Sequence, residues 1–247
     1  MNVDAGYWLS RRPVASALVG IIALGFLSLL PTRQIAARPS AEHSTVGEAI
    51  SGPARVIDGD TLVVGGQHIR LEGIDAPELG QTCGRRFFGT WRCGKAAADA
   101  LAALVGGRSV TCESRGDDKY GRMLGICFVD GRDLNAAMVR EGLAWAFVKY
   151  SQTYVPEEAE ARSSRVGIWR GEAEPAWVYR ERRWAGAEPE APHGCAIKGN
   201  ITAHGHIYYM PWSPWYAMVK IDEAKGEHWF CSEAEAVAAG WRPASVQ

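Results

Sequence analysis

Apolar and polar residues alternate through residues 54–73, with Val56, Leu62, Val64, Ile69 and Leu71 on one side and turn pairs at Asp58-Gly59 and Gly65-Gly66. Period-two alternation broken by such pairs predicts successive antiparallel strands. The pattern then changes. Leu79 to Gly94 has no period and reads as a loop carrying Phe87, Phe88 and Trp91. Those aromatics could stack on bases or pack beneath the loop. Lys95 to Val105 is alanine-rich with Leu101 and Leu104 on one face, and Gly106-Gly107 comes next, which predicts a helix with a glycine stop. Ser109–Ser114 and Met123–Val129 read as strands joined by a loop over 115–122. Asp133 is placed to cap a helix from Leu134 to about Glu141, closed by Gly142. Glu157–Val166 predicts a third, more polar helix. On propensity alone this is an α+β domain, mainly β.

Both ends of the chain have a different character. Val14 to Leu30 is an uncharged apolar run of 17 residues preceded by Arg11 and Arg12. That length lies between a long signal-peptide core and a short membrane-spanning helix, so a cleaved leader and a retained anchor are both expected readings. In either case the basic flank predicts export of the chain beyond Pro31, to a periplasmic or extracellular location or to the outer face of the cytoplasmic membrane. Residues 31–50, rich in Ala, Ser, Pro and Arg, read as a tether. Residues 51–184 form the main domain, 185–193 a Pro- and Glu-containing linker, and 194–247 a small aromatic-rich module. Within Trp177–Trp184, the charges Arg180, Arg182 and Arg183 read by default as a solvated face. His204, His206 and His228 read as loop histidines before metal ligands.

Charge does not bring a polyanion to this chain by itself. The whole chain carries a formal charge of −1, and residues 51–184 hold 19 Lys and Arg against 18 Asp and Glu. If a nucleic acid binds, a cation and a few placed arginines must handle its phosphates. Export gives meaning to the six cysteines. The simplest pairing is local: Cys83 with Cys93, Cys112 with Cys127, and Cys195 with Cys231. A structural metal is the rival reading, but the chain has no C-x-x-C pair.

The candidate chemistry lies in Asp58, Asp60, Asp75 and Glu78 beside Arg70, all at predicted strand ends. Four carboxylates near an arginine suit either a metal site or a network of ion pairs. The spacing is not that of an EF-hand loop, since Val63 and Ile69 stand where that loop needs Gly and Glu.

Asp60-Thr61, Arg70-x-x-x-x-Asp75-x-Pro-Glu78 and Tyr120-Gly-Arg122 occur in this order, followed by Asp133-Leu-Asn135, Glu141-Gly-Leu-Ala144 and Gly167-Ile-Trp169. Over roughly residues 53–170 this resembles the staphylococcal nuclease family. The resemblance implies a five-stranded Greek-key barrel of the oligonucleotide/oligosaccharide-binding (OB) type with three helices. It also implies Ca²⁺ held by Asp60 and Asp75, with the backbone carbonyl of Ala76 as a further ligand. Arg70, Glu78 and Arg122 would be the catalytic residues and Tyr120 a substrate contact. Asp58 would support its turn. A second nucleotide-contacting tyrosine would fall near Phe147 to Tyr150.

The implied activity is a Ca²⁺-dependent, sugar-non-specific endonuclease. It would act on DNA and RNA, single strands before duplex, as a monomer, and leave 3′-phosphates. It would meet the membrane only through an uncleaved leader. Two alternatives remain: a catalytically silent nucleic-acid-binding barrel, and an envelope-attached structural module. The tail from Cys195 resembles a small module appended to exported members of the family, and that likeness assigns it no role.

Overall fold

The computed structural model describes residues 49–245. The apolar run at 14–30 and most of the tether lie outside the described residues. Among the described residues no helix is long and apolar enough to cross a membrane.

Alternation is realised first as an antiparallel meander of β1 (Ala49–Val56), β2 (Thr61–Val64) and β3 (Gln67–Leu71). Short β4 (Ile74–Asp75) follows, then a hairpin of β5 (Cys83–Gly84) and β6 (Thr90–Trp91), and helix α1 (Cys93–Val105). Helix α1 ends at Gly106 in the left-handed region, with φ 55°, where a glycine avoids the Cβ penalty. Strands β7 (Ser109–Asp117) and β8 (Met123–Val129) come next. β1 pairs with β7, β7 with β8, and β8 runs parallel to β3, which closes a five-stranded barrel. This is the expected OB-type fold. The β7 ladder extends beyond its predicted end through a register shift between Ser114 and Asp117. Such a bulge bends the strand and re-aims the turn that carries Arg122.

Strand β8 shows why the pattern was readable. Met123, Gly125, Cys127 and Val129 point inward while the residues between them are less buried. They meet Leu62, Val64, Ile69, Leu71 and Leu101 in one core. Strand β9 (Arg132–Asp133) leads into helix α2 (Leu134–Arg140), where the Asp133 carboxylate accepts the Ala136 N–H at 2.9 Å as predicted. Asn135, fully buried, donates to the carbonyls of Glu72 and Gly125 and accepts from the Cys127 N–H. One side chain thus satisfies three main-chain groups where β3 meets β8. Strand β10 (Trp145–Ala146) pairs with β4, and helix α3 (Val155–Ser164) covers that side.

Helix α4 (Ala176–Ala187) follows, and two short 3₁₀ turns, Glu188–Glu190 and Pro192–Gly194, complete the segment expected as a linker. The tail contributes β11 (Ile197–Thr202), β12 (Gly205–Tyr209), β13 (His228–Phe230) and β14 (Arg242–Pro243). These form a four-stranded sheet in the order β13–β11–β12–β14, capped by helix α5 (Glu233–Ala238). Ile197, Tyr208, Phe230, Ala236 and Trp241 form a small core of its own, against which Trp184 of α4 also packs.

All three local disulfides are formed: Cys83–Cys93, Cys112–Cys127 and Cys195–Cys231. The loop aromatics divide. Trp91 packs beside the Cys83–Cys93 bridge, but Phe87 and Phe88 are 77% and 91% exposed and do not pack beneath the loop. His206 stacks on Trp241 at 4.7 Å, and His228 meets the same ring edge-on. Both are structural contacts.

Candidate active site

Asp60 and Asp75 reach one point from different elements. Asp60 ends the turn before β2, where its N–H donates to the Asp58 carboxylate at 3.1 Å, so Asp58 does support the turn. Its own Oδ2 accepts the Ala76 N–H at 2.8 Å. This close approach needs Gly59, because a Cβ there would lie 2.7 Å from the side chains of both Ala76 and Ala97. Asp75 sits on β4 opposite Trp145. Arg70 of β3 bridges the two carboxylates, donating to Asp60 Oδ1 at 2.6 Å and to Asp75 Oδ1 at 2.7 Å. Asp60 is 3% exposed and Asp75 0%. Buried charges of this kind persist only when paired and hydrogen-bonded.

Glu78 follows in a tight turn, its N–H donating to Gln81 and its carbonyl accepting from the Gln81 N–H. Gly94 of α1 lies so close that a Cβ there would collide with the Glu78 carbonyl, which fixes this turn against the helix. On the far side of the cleft, Asp118 organises the β7–β8 turn by accepting the N–H groups of Tyr120 and Arg122. It also holds the Arg122 guanidinium at 2.7 Å. The opposite edge of Arg122 faces Glu233 of the tail at 3.8 Å, and Tyr208 donates to that same glutamate at 2.6 Å.

Every residue singled out in the sequence therefore lines or adjoins one cleft: Asp58, Asp60, Arg70, Asp75, Ala76, Glu78, Tyr120 and Arg122. The cleft has a volume of about 690 Å³, and its lining includes Tyr120, Phe147 and Tyr150 of the main domain and Trp212 and Trp215 of the tail.

Arg180 was not foreseen. Expected on a solvated face, it instead enters the cleft from α4 and donates to Asp75 Oδ1 and Oδ2 at 2.9 and 2.8 Å and to Glu78 Oε1 at 2.7 Å. Helical spacing held a signal for this. Arg180 follows Ala176 by four residues and precedes Ala187 by seven, and these alanines are the buried residues of α4. Arg182 lies on the exposed side, paired with Glu174.

The electrostatics follow from this packing. Burial pushes Asp60 up, but Arg70 and the Ala76 N–H outweigh it and hold its carboxyl below the ordinary range. Burial first, then the charges of Asp58 and Asp60, pushes Glu78 up to about 8, against the pull of Arg180. Asp58 is also raised, by burial and then by Asp60. For Arg180, burial lowers the pKa, and the bonds to Asp75 and Glu78 more than restore it, leaving it above its usual value.

A pH dependence of stability follows from Glu78. Its ordinary value is 4.5, so between there and about 8 the folded chain holds a proton that the unfolded chain has released. The stability linked to Glu78 is complete below that window and is lost as pH rises through it. Replacing Glu78 by Gln should therefore flatten the fall in Tm between pH 5.5 and 8.5, measured in chelator. Parallel Tm curves for the two proteins would refute this.

As a cation site, the donor set fits in kind. Two buried carboxylates whose oxygens converge within the span of one guanidinium match a hard ion that takes its other ligands from water and phosphate. Among the described residues no cluster of three Asp, Glu, His or Cys groups is arranged around a common point.

A barrel whose cleft joins paired carboxylates, an additional glutamate and facing arginines defines a phosphodiester-hydrolysing nuclease. Comparison with known proteins narrows this. Residues 68–171 match the family described as staphylococcal nuclease homologue. A succinoglycan biosynthesis protein, ExoI, of Rhizobium meliloti is 38% identical over 152 residues, covering 60% of this chain and 80% of that protein. An uncharacterized endonuclease of Escherichia coli O157:H7 is 38% identical over 137 residues, covering 52% and 83%. A micrococcal nuclease of Shigella flexneri is 35% identical over 145 residues, covering 51% and 77%. The chain belongs to the staphylococcal nuclease family, whose chemistry is metal-dependent. Arg180 and the tail residues of the cleft lie beyond the matched region.

Proposed function

We propose that this protein is an exported Ca²⁺-dependent endonuclease that cleaves DNA and RNA without regard to the sugar, prefers single strands, and leaves 3′-phosphates. The observation that carries it is the meeting of Asp60, Asp75, Glu78, Arg70 and Arg122 in one cleft, from positions 62 residues apart in the chain.

Hydrolysis needs a water nucleophile, a base beside it, and positive charge over the transition state. Glu78 in its ionised form takes the proton as the water oxygen bonds to phosphorus. The bond to the 5′-oxygen then breaks, and that oxygen takes a proton from solvent water as it leaves, while the proton on Glu78 returns to solvent. Arg70 and Arg122 present planar guanidinium edges to the phosphate oxygens, where charge accumulates. A divalent cation held by Asp60 and Asp75, with the Ala76 carbonyl as a further ligand, supplies additional positive charge there when bound. Tyr120 sits beside Arg122, whose guanidinium lies 5.4 Å from its ring centroid, in position to touch the phosphate or sugar. The single-strand preference draws on the aromatic residues that line the cleft, on which unpaired bases can stack.

The test is release of acid-soluble nucleotides from denatured DNA, with Ca²⁺ and with chelator. Full activity in chelator, or binding without turnover, would overturn the reading.

The tail, on this reading, adds binding. Trp212 and Trp215 line the cleft, whereas the residues assigned to the chemistry all precede β11. A protein ending at Ala191 should keep kcat on a short oligonucleotide within a few-fold while its KM for long denatured DNA rises. Stacking is worth roughly 1–3 kcal/mol per base, so the rise should be at least about fivefold. An unchanged KM, or a collapse of kcat in a folded truncated protein, would contradict this.

A further inference from the structure

We propose that Arg180 is an intramolecular counter-ion that occupies the carboxylates of the cation site, so that a divalent cation binds only by displacing it. The inference rests on the proposed cation role of Asp60 and Asp75. It goes beyond that role by assigning a task to a helix outside residues 68–171, the stretch that matches the family model.

Arg180 grips the buried Asp75 with both terminal nitrogens, and one of these also reaches Glu78. Arg70 donates to Asp75 Oδ1 as well and to one oxygen of Asp60, and the Ala76 N–H holds the other. No carboxylate oxygen of this pair is left without a hydrogen-bond donor. A cation drawing on Asp75 must compete with a guanidinium at either oxygen, because Arg180 holds both and Arg70 shares one. Arg70 is anchored within the barrel by β3, which is paired on both sides. Arg180 is carried by a helix that joins the barrel to the tail, and its side chain is 21% exposed at the cleft. The side chain of Arg70 is 16% exposed, so the difference between the two lies in the element that carries each: a barrel strand for Arg70, a peripheral helix for Arg180. Charge also argues for exchange. Asp60 and Asp75 already face Arg70 and Arg180, so a divalent ion added between them without loss of Arg180 would sit against two guanidinium groups bound to the same oxygens. Like charges at such short range in a buried site repel strongly.

The two states differ in Glu78 as well. While Arg180 is seated, Glu78 Oε1 accepts from its guanidinium at 2.7 Å, which holds that oxygen away from an attacking water. Displacing Arg180 would fill the cation site and release the base in one event. An enzyme built this way is restrained where divalent cations are scarce.

The experiment is calorimetric titration of Ca²⁺, without nucleic acid, into the full chain and into Arg180→Gln and Arg180→Lys. Arg180→Gln removes the charge and should bind Ca²⁺ about tenfold more tightly or better. Arg180→Lys keeps the charge but loses the two-pronged grip, and should fall between. Because removing Arg180 leaves the buried Asp75 with one counter-ion fewer, a second readout guards against a folding defect: the rise in Tm on adding saturating Ca²⁺. That rise should be larger in Arg180→Gln than in wild type. Equal or weaker Ca²⁺ affinity in a folded Arg180→Gln protein overturns the proposal. Asp60→Asn run in parallel keeps the two readings apart. If Asp60→Asn abolishes binding while Arg180→Gln changes nothing, the cation site stands and the displacement idea falls. If Asp60→Asn and wild type bind equally, the cation site itself falls, and this inference with it.

Discussion

Glu78→Gln is expected to lower kcat by about 10²–10⁴-fold, the usual contribution of a general base, while leaving Ca²⁺ affinity within a few-fold of wild type. The glutamine keeps the length and shape of the side chain and can still accept from Arg180, so the turn fixed by Gln81 and Gly94 should persist. What is lost is the capacity to hold a proton. Glu78 suits that task because its carboxylate lines the cleft, within reach of a water beside a bound phosphate. The comparison is kcat and the calorimetric Ca²⁺ affinity of the two proteins under the same conditions. A variant with wild-type kcat would remove Glu78 from the chemistry. One that lost Ca²⁺ binding would make it a ligand instead.

Arg122→Lys is expected to lower kcat by about 10²–10³-fold, the loss typical of removing one donor to a developing oxyanion. Lysine keeps the charge but cannot do two things at once. The guanidinium of Arg122 is fixed along one edge by Asp118, through Nε and a terminal nitrogen, and this leaves its other edge directed into the cleft. An ammonium drawn to Asp118 has no second edge to offer. Single-turnover rates on a short oligonucleotide separate this from weaker binding. A lysine variant within a few-fold of wild type would reduce Arg122 to an ion-pair residue.

How much of this was legible from the chain differs by kind of information. The barrel strands were visible because each buries one face, so alternation in β8 from Met123 to Val129 reported the core directly. The caps at Asp133 and Gly106 were visible because they solve a local backbone problem. The polar set from Asp60 to Arg122 was found through its resemblance to a family, since spacing alone allowed an ion-pair network equally well. Ion pairs are in fact what those carboxylates form here, with Arg70 and Arg180. Arg180 was missed because three arginines in one short run look like a wet surface. Only its placement on the face of Ala176 and Ala187 set it apart. Glu233, Trp212 and Trp215 could not have been found. Their place in the cleft depends on how the tail packs against the barrel, and no periodicity records that. The exposure of Phe87 and Phe88 was likewise hidden, because a disulfide closes their hairpin without burying its tip.

The cleft draws its walls from residue 57 through residue 244, and this has a consequence for the order of events in a newly made chain. Synthesis proceeds from the amino end, and the barrel with Asp60, Asp75, Glu78 and Arg122 is complete once β8 and α2 have emerged. Helix α4 and α5 come later. For that interval the nascent barrel carries its acidic cluster without Arg180 and its Arg122 without Glu233. Residues 176–247 then reach back to a site built from residues 58–122 and bring Arg180 and Glu233 to charges that the barrel, alone, holds with fewer partners.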